Sequence, residues 1–357
     1  MNWFSCHQRS PIVLVLLLVI TMLVFSGCAR HGSGLEPDTI IVQRANRIWL
    51  VNPVTLEESL LLDYDDGQNT QIRGLALTHD RRHILAVRGK GTGGLMTYSE
   101  ADQVIRIDVN TQAIDVLLER PYLLGVSDIS PDGKQAVVAY LRAAELRAAA
   151  IFCILNVDTG NCEELDFPIQ RLDTYWIDND TIVAVSADDG SLYSINSDNL
   201  ETERIEVVPE DHSVDSTDRI PGTNDFLVSL RLIGETFEPK LVVLDPMANE
   251  ASELPFQVID SDFYYSFGRL SISPDGQYVW YNWDPRYALL DLQTGEHIQE
   301  LEGVGLVNWL SNSEEIVATT SGDEDSVEQL VRINVFSGQI EQSVQIDGHV
   351  SSMIVVP

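Results

Sequence analysis

Lysine is almost missing from this chain. Only Lys90, Lys134 and Lys240 occur, and all cations together number 22 against 55 Asp and Glu, a formal charge of −33. A surface this acidic repels phosphate backbones, which argues against a nucleic-acid partner. The carboxylates are scattered rather than blocked, the pattern of a solvated acidic surface that maintains solubility. Long amphipathic helical patterns are also wanting, with the Ala-rich stretch Leu141 to Ala150 as the one competitor. No HExxH and no GxSxG occurs, so metalloprotease and α/β-hydrolase chemistry lack their motifs. His79 and His83 share one turn while His212, His297 and His349 fall in separate units, as expected of surface histidines rather than convergent metal ligands. Gly89-Lys90-Gly91-Thr92-Gly93-Gly94 lacks the following Lys-Ser or Lys-Thr of a phosphate loop and reads as a flexible connection.

One apolar run is present, at the N-terminus. A short polar stretch with Arg9 precedes Pro11 to Phe25, which is interrupted only by Thr21. Its fifteen residues have the shape of a secretory signal and fall short of the roughly 20 needed to cross a bilayer core. The run ends in Phe25-Ser26-Gly27-Cys28, which resembles a lipobox, with Phe25 where a Leu is usual. The resemblance implies cleavage before Cys28 and acceptance of diacylglycerol by its thiol. The expected organisation is therefore a signal peptide over 1–27, a tether over 28–38 and a folded body over 39–357, anchored to a membrane through lipid on its non-cytoplasmic side.

Four cysteines are present. Cys6 leaves with the signal and Cys28 takes lipid, leaving Cys153 and Cys162 in an oxidising compartment. They flank a predicted turn centred on Thr159-Gly160. That register sets Cys162 against Val157 and leaves Cys153 roughly 13 Å farther along the strand, beyond the roughly 7 Å reach of a disulfide. The expectation is two buried free thiols.

From Thr39 onward, short alternating apolar runs are punctuated by turn residues. One unit recurs, in which an apolar strand ends at Asp or Asn, makes a tight turn and continues as another strand. Its polar residue is Asn52, Asp108, Asn156, Asn196, Asp245, Asp291 and Asn334, spaced 40 to 56 residues apart. A period in the forties is a four-stranded propeller blade. A second element lies upstream in each unit, clearest as Ser130-Pro131-Asp132-Gly133 and Ser273-Pro274-Asp275-Gly276. Degenerate copies stand at Thr78-His79-Asp80-Arg81, Asp178-Asn179-Asp180, Pro221-Gly222-Thr223-Asn224 and Ser311-Asn312-Ser313. Trp176 and Trp309 stand just ahead of two of them. The first unit lacks an innermost strand and the run His349 to Val356 is left over, so joining the two closes the ring and removes exposed strand edges. The predicted fold is all-β, a seven-bladed β-propeller of four-stranded antiparallel blades closed by the C-terminal strand.

An apolar residue or Trp followed by SPDG and a strand resembles the WD-repeat-like blades of the TolB family and of propellers that precede prolyl peptidases. The likeness covers Thr39 to Pro357 and implies fold more than task. Two departures stand against carrying over that family's lipoprotein partner: no separate α/β domain precedes the blades, and seven units occur where six are usual.

In antiparallel blades, turns alternate between the two faces of the disc, so the SPDG-like and Asp/Asn turns share one face. The other face receives the longer connections, expected at Arg88 to Gln103, Leu141 to Ala149, Pro209 to Asp218, Leu232 to Lys240, Gln257 to Phe267 and Thr319 to Gln329. Tyr264, Tyr265, Trp283 and Tyr287 with Asp323, Glu324 and Asp325 form the candidate partner-binding patch there, flanked by Phe263, Phe237, Glu235 and Glu238. Aromatics ringed by carboxylates suit a cationic protein surface or a sugar-containing polymer. Asp323-Glu324-Asp325 is also the one candidate for calcium, although its spacing is not that of a twelve-residue loop, and no other cofactor is expected. The expected function is that of a non-enzymatic binding or scaffolding module for an envelope protein or polymer. The alternative is a propeller enzyme of lactonase type with its site at the central channel, where the inner strands offer Arg73, Asp128, Arg219 and Arg269.

Overall fold

A computed structural model describes residues 34–64, 70–90, 101–141, 150–233, 240–255, 269–283, 286–321 and 328–357. The seven Asp/Asn positions are the local units from which it is built. Each ends or directly follows the third strand of a sheet, and in six of them the Oδ1 atom accepts the backbone N–H groups two and three residues on, as Asn52 does from Val54 at 2.8 Å and Thr55 at 2.9 Å. Asn334 accepts from the N–H and hydroxyl of Ser337. Four residues after each of the seven, a left-handed residue turns the chain into the outer strand. It is glycine at Gly160, Gly295 and Gly338, but Leu56, Gln112, Leu200 and Asn249 elsewhere, which is why a Thr-Gly or Ser-Gly signature marks only some repeats.

The SPDG-like element is equally regular. Ser130 Oγ donates to Asp132 Oδ1, which also accepts from Lys134 N, while Gln135 N donates to Ser130 Oγ. Ser273, Asp275, Gln277 and Tyr278 repeat the arrangement, and so do Thr78, Asp80, Arg82 and His83. The degenerate copy at Thr78 is therefore the same turn, with Arg81 taking the left-handed position of Gly133.

These turns join seven four-stranded antiparallel sheets. From the axis outward the chain runs through each sheet in order, except in blade 1, whose innermost strand Val350–Val355 comes from the C-terminus and pairs with Ile40–Arg44. The other innermost strands are Thr70–Leu77, Leu123–Ile129, Ile169–Trp176, His212–Arg219, Leu270–Ile272 and Val304–Trp309 in blades 2 to 7. Apolar faces of adjacent blades pack together in a ring of seven clusters, with Trp176, Trp280, Phe152 and Phe226 among the largest fully buried side chains. Strand alternation divides the closing strand between two clusters: Val350 and Met353 pack toward blade 7, Ile354 and Val356 toward blade 2. At Gly74, with φ +60°, an added Cβ would stand 2.9 Å from Gly125 Cα, so the approach of blade 2 to blade 3 at this point requires glycine.

Two expectations are corrected. Cys153 and Cys162 are disulfide-bonded, with Cα atoms 5.6 Å apart. The Asn156 turn takes up residues through Asn161, so Cys162 stands opposite Leu155 rather than Val157 and shares a sheet face with Cys153. Most of the expected long loop Pro209 to Asp218 is instead the innermost strand of blade 5. Its sequence, HSVDSTDR, lacks apolar alternation because its polar side chains bond to neighbouring blades rather than fill a core. The Ala-rich stretch lies outside the described residues over 142–149.

Candidate functional site

All seven junctions between neighbouring blades carry a side-chain hydrogen bond near the axis. Gln43 Nε2 donates to Ile72 O between blades 1 and 2. Arg73 reaches across from blade 2 to Leu123 O at 2.6 Å and pairs at 2.5 Å with the buried Asp102. Asp128 of blade 3 accepts from its neighbour Ile129 N at 2.8 Å and from Trp176 N of blade 4 at 3.0 Å. Burial raises this carboxyl to about 6, against the opposing pull of those two N–H groups and the Arg219 charge. Arg219 of blade 5 in turn donates to Trp176 O at 3.0 Å, so both backbone groups of Trp176 are held, one from each side. Tyr175 donates to Thr217 O across the same junction. Asp218 repeats the role of Asp128, accepting from Arg219 N and from Ile272 N of blade 6. Trp309 Nε1 donates to Ser271 O between blades 6 and 7, and Asn308 Nδ2 to Met353 O between blades 7 and 1.

Three of the four charged inner-strand residues singled out from the sequence, Arg73, Asp128 and Arg219, are therefore bound into the ring. Asp218 was overlooked, although a signal existed: like Asp128 it stands three positions before the proline of its turn, Pro221 for Asp218 and Pro131 for Asp128.

Arg269 differs. It immediately precedes the innermost strand of blade 6, where the chain comes in from the long-connection face, and its side chain is exposed with no ion pair among the described residues. Beside it, Asn282 and Tyr287 face one another in register one step inside the Trp283–Arg286 pair, and Asn282 N donates to Arg269 O at 3.0 Å. Asn282 Nδ2 donates to the Tyr287 hydroxyl at 3.4 Å. Burial pushes the Tyr287 phenol up, opposed by the positive charge of Arg269 and the Asn282 bond. With Trp280, Leu306 and Val307, these residues line a cleft of about 170 Å³ between blades 6 and 7. The ring of Tyr287 also packs on the cluster around Trp280 and Trp309, which accounts for its half-buried state. Trp280 is fully buried and its indole N–H finds no hydrogen-bond partner among the described residues.

Of the candidate patch, only Tyr287 can be placed in full. Trp283 ends the second strand of blade 6 and pairs through its backbone with Arg286. Tyr264, Tyr265, Asp323, Glu324 and Asp325 lie outside the described residues, as do Phe237, Phe263, Glu235, Glu238 and Cys28. Asn282 was not foreseen, since an isolated Asn within an aromatic strand carries no signal before the hairpin register is known. Among the described residues, no group of three or more His, Cys, Asp or Glu is arranged to hold a metal ion, and no helix is long and apolar enough to cross a membrane.

No family model matches the chain, and no curated protein matches it in sequence. Solved structures do match its fold. An oligogalacturonate lyase in complex with manganese is similar at TM-score 0.63 and 12% identity, covering 81% of this chain and 82% of that one. A dihydro-heme d1 dehydrogenase, NirN, in complex with DHE is similar at TM-score 0.56 and 12% identity, over 91% of this chain and 76% of that one. TolB from Acinetobacter baumannii matches at TM-score 0.48 and 16% identity, over 78% and 67%. At these identities the likeness is one of propeller fold, on which unrelated tasks are carried.

Proposed function

We propose that the chain is a lipid-anchored cell-envelope protein whose propeller serves as a non-enzymatic binding or scaffolding module for an envelope protein or polymer, engaging it through the long-connection face. The observation that supports this reading is the engagement of the inner-strand charges. Arg73, Asp128 and Arg219, which a channel-mouth enzyme would need for substrate or metal, hold neighbouring blades together. The fourth of these inner-strand charges, Arg269, lines instead an aromatic cleft on the face from which the longer connections leave. Rigid blades beneath variable loops are the arrangement on which recognition is commonly built. Cys28, at the end of a short apolar run, supports the anchor, and nothing among the described residues favours the lactonase-type alternative.

The test is capture from native membranes by the full chain and by Tyr264→Ala, Tyr265→Ala and Asp323→Lys, with melting temperature measured alongside. Loss of a specific partner in correctly folded variants is the expected result. Full retention by all three would refute recognition by that patch, and turnover of a lactone by the purified chain would refute the non-enzymatic reading.

A further inference from the structure

We propose that the cleft between blades 6 and 7 binds one carboxylated sugar ring of an envelope polymer; this rests on the binding-module reading above. The inventory of hydrogen-bonding groups carries the inference. Asn282 Nδ2 already donates to the Tyr287 oxygen, so the phenolic proton is left to point at an acceptor. Burial keeps that proton in place across physiological pH. Arg269 adds guanidinium donors at the cleft, exposed and with no acidic partner among the described residues, whereas Arg73 and Arg219 of the neighbouring inner strands are taken up by Asp102 and by Trp176 O. Trp280 also lines the cleft, and its buried indole N–H finds no acceptor among the described residues, but it is the Tyr287 hydroxyl and the Arg269 guanidinium that are open to a ligand. Ser271 and the Asn282 Oδ1 atom add acceptors to the lining, but the guanidinium and phenol donors exceed them, so the complementary ligand brings acceptors and a negative charge, and the planar Arg fork suits a carboxylate.

The walls select what carries that carboxylate. A space of about 170 Å³ corresponds to roughly six waters and lies below the roughly 300–1,000 Å³ of a drug-sized pocket, so it admits a single ring. Trp280, Tyr287, Leu306 and Val307 offer aromatic and aliphatic surface suited to the C–H face of a pyranose, which a bare phosphate or sulfate would leave uncovered. One carboxylate per ring is compatible with the acidic chain, because charges farther than a Debye length of about 8 Å are screened at physiological ionic strength.

The experiment titrates the full chain with glucuronate, with the neutral methyl glucoside and with inorganic sulfate. Glucuronate should bind at least about tenfold more tightly than the glucoside, the size of a charge-assisted hydrogen bond. Arg269→Gln should erase the preference for glucuronate over the glucoside with the melting temperature unchanged, and Tyr287→Phe should weaken glucuronate by several-fold. Arg269 is exposed, so its variant keeps the test decisive even if Tyr287→Phe alters packing. Equal binding of the two sugars, full glucuronate affinity in Arg269→Gln, or sulfate binding as tightly as glucuronate would each overturn the proposal. A wild-type chain that ignores glucuronate yet still captures an envelope partner would refute the cleft assignment and leave the binding-module reading standing.

Discussion

Closing the ring with the C-terminal strand makes a quantitative demand on its last residues. Val350, Met353 and Val356 are at most 5% exposed and are divided between the packing toward blade 7 and toward blade 2. Full burial of a side chain of this size is worth roughly 1.5–3 kcal/mol, so the three together contribute on the order of 5–9 kcal/mol. Domain stabilities are about 5–15 kcal/mol, and a chain ending before Asp347 would lose a comparable amount. It would also leave Ile40–Arg44, now paired with the C-terminal strand, as an open strand edge. Such a truncation should aggregate or be cleaved rapidly by protease. Point changes separate the two interfaces: Met353→Ala should cost about 2–5 kcal/mol and act toward blade 7, while Val356→Ala should cost less and act toward blade 2. Urea denaturation monitored by tryptophan fluorescence, with limited proteolysis, measures both. A truncated chain with the parent's denaturation midpoint and protease resistance would show that the ring does not depend on this strand.

Asp128 provides a pH signature. Its folded carboxyl lies near 6, above the ordinary value of 3.8, so between those pH values the folded state holds a proton that the unfolded state has released. The sign follows: the Asp128 contribution to stability is greatest below about pH 4, falls as pH rises toward 6 and is flat above, by at most about 1.4 kcal/mol per pH unit. Subtracting Asp128→Asn from wild type in urea melts at several pH values should isolate this slope, and identical pH profiles would refute it. Replacing Cys153 and Cys162 by Ser should lower stability by about 2–3 kcal/mol for so short a loop, and native thiol labelling of the parent should find neither cysteine reactive. Cys28→Ser should leave the precursor uncleaved and without lipid mass; a wild-type chain retaining Met1 on membranes would overturn the anchor. Asp218→Ala should deprive Ile272 N and Arg219 N of their acceptor and cost about 2–4 kcal/mol by urea melt, and an unchanged midpoint would contradict the clasp.

How much of this molecule could be read without its structure follows from the range of the forces involved. Asn52 and its six counterparts were recognisable because an Asx turn is satisfied within four residues, and so was the Thr78-Asp80 copy of the SPDG turn. Ring closure was readable because strand count is a bookkeeping of local elements: one strand missing at the start and one left over at the end. The turn register at Cys153 was not, since Asn156 and Asn161 could close the hairpin over either of two lengths and only the folded sheet shows Cys162 facing Leu155. Nor was the strand His212–Arg219, whose polar side chains find partners 54 residues away in the next blade. The cleft depended most on tertiary structure. Arg269, Asn282, Tyr287 and Leu306 carry no common motif, and they meet because the curvature of the ring brings blade 7 against the inner edge of blade 6. Local hydrogen bonding, which acts over a few residues, determined the blades; side-chain bonds to backbone groups 43 to 54 residues away, which exist only once the blades have closed, decided which charges became structural and which remained available to a ligand.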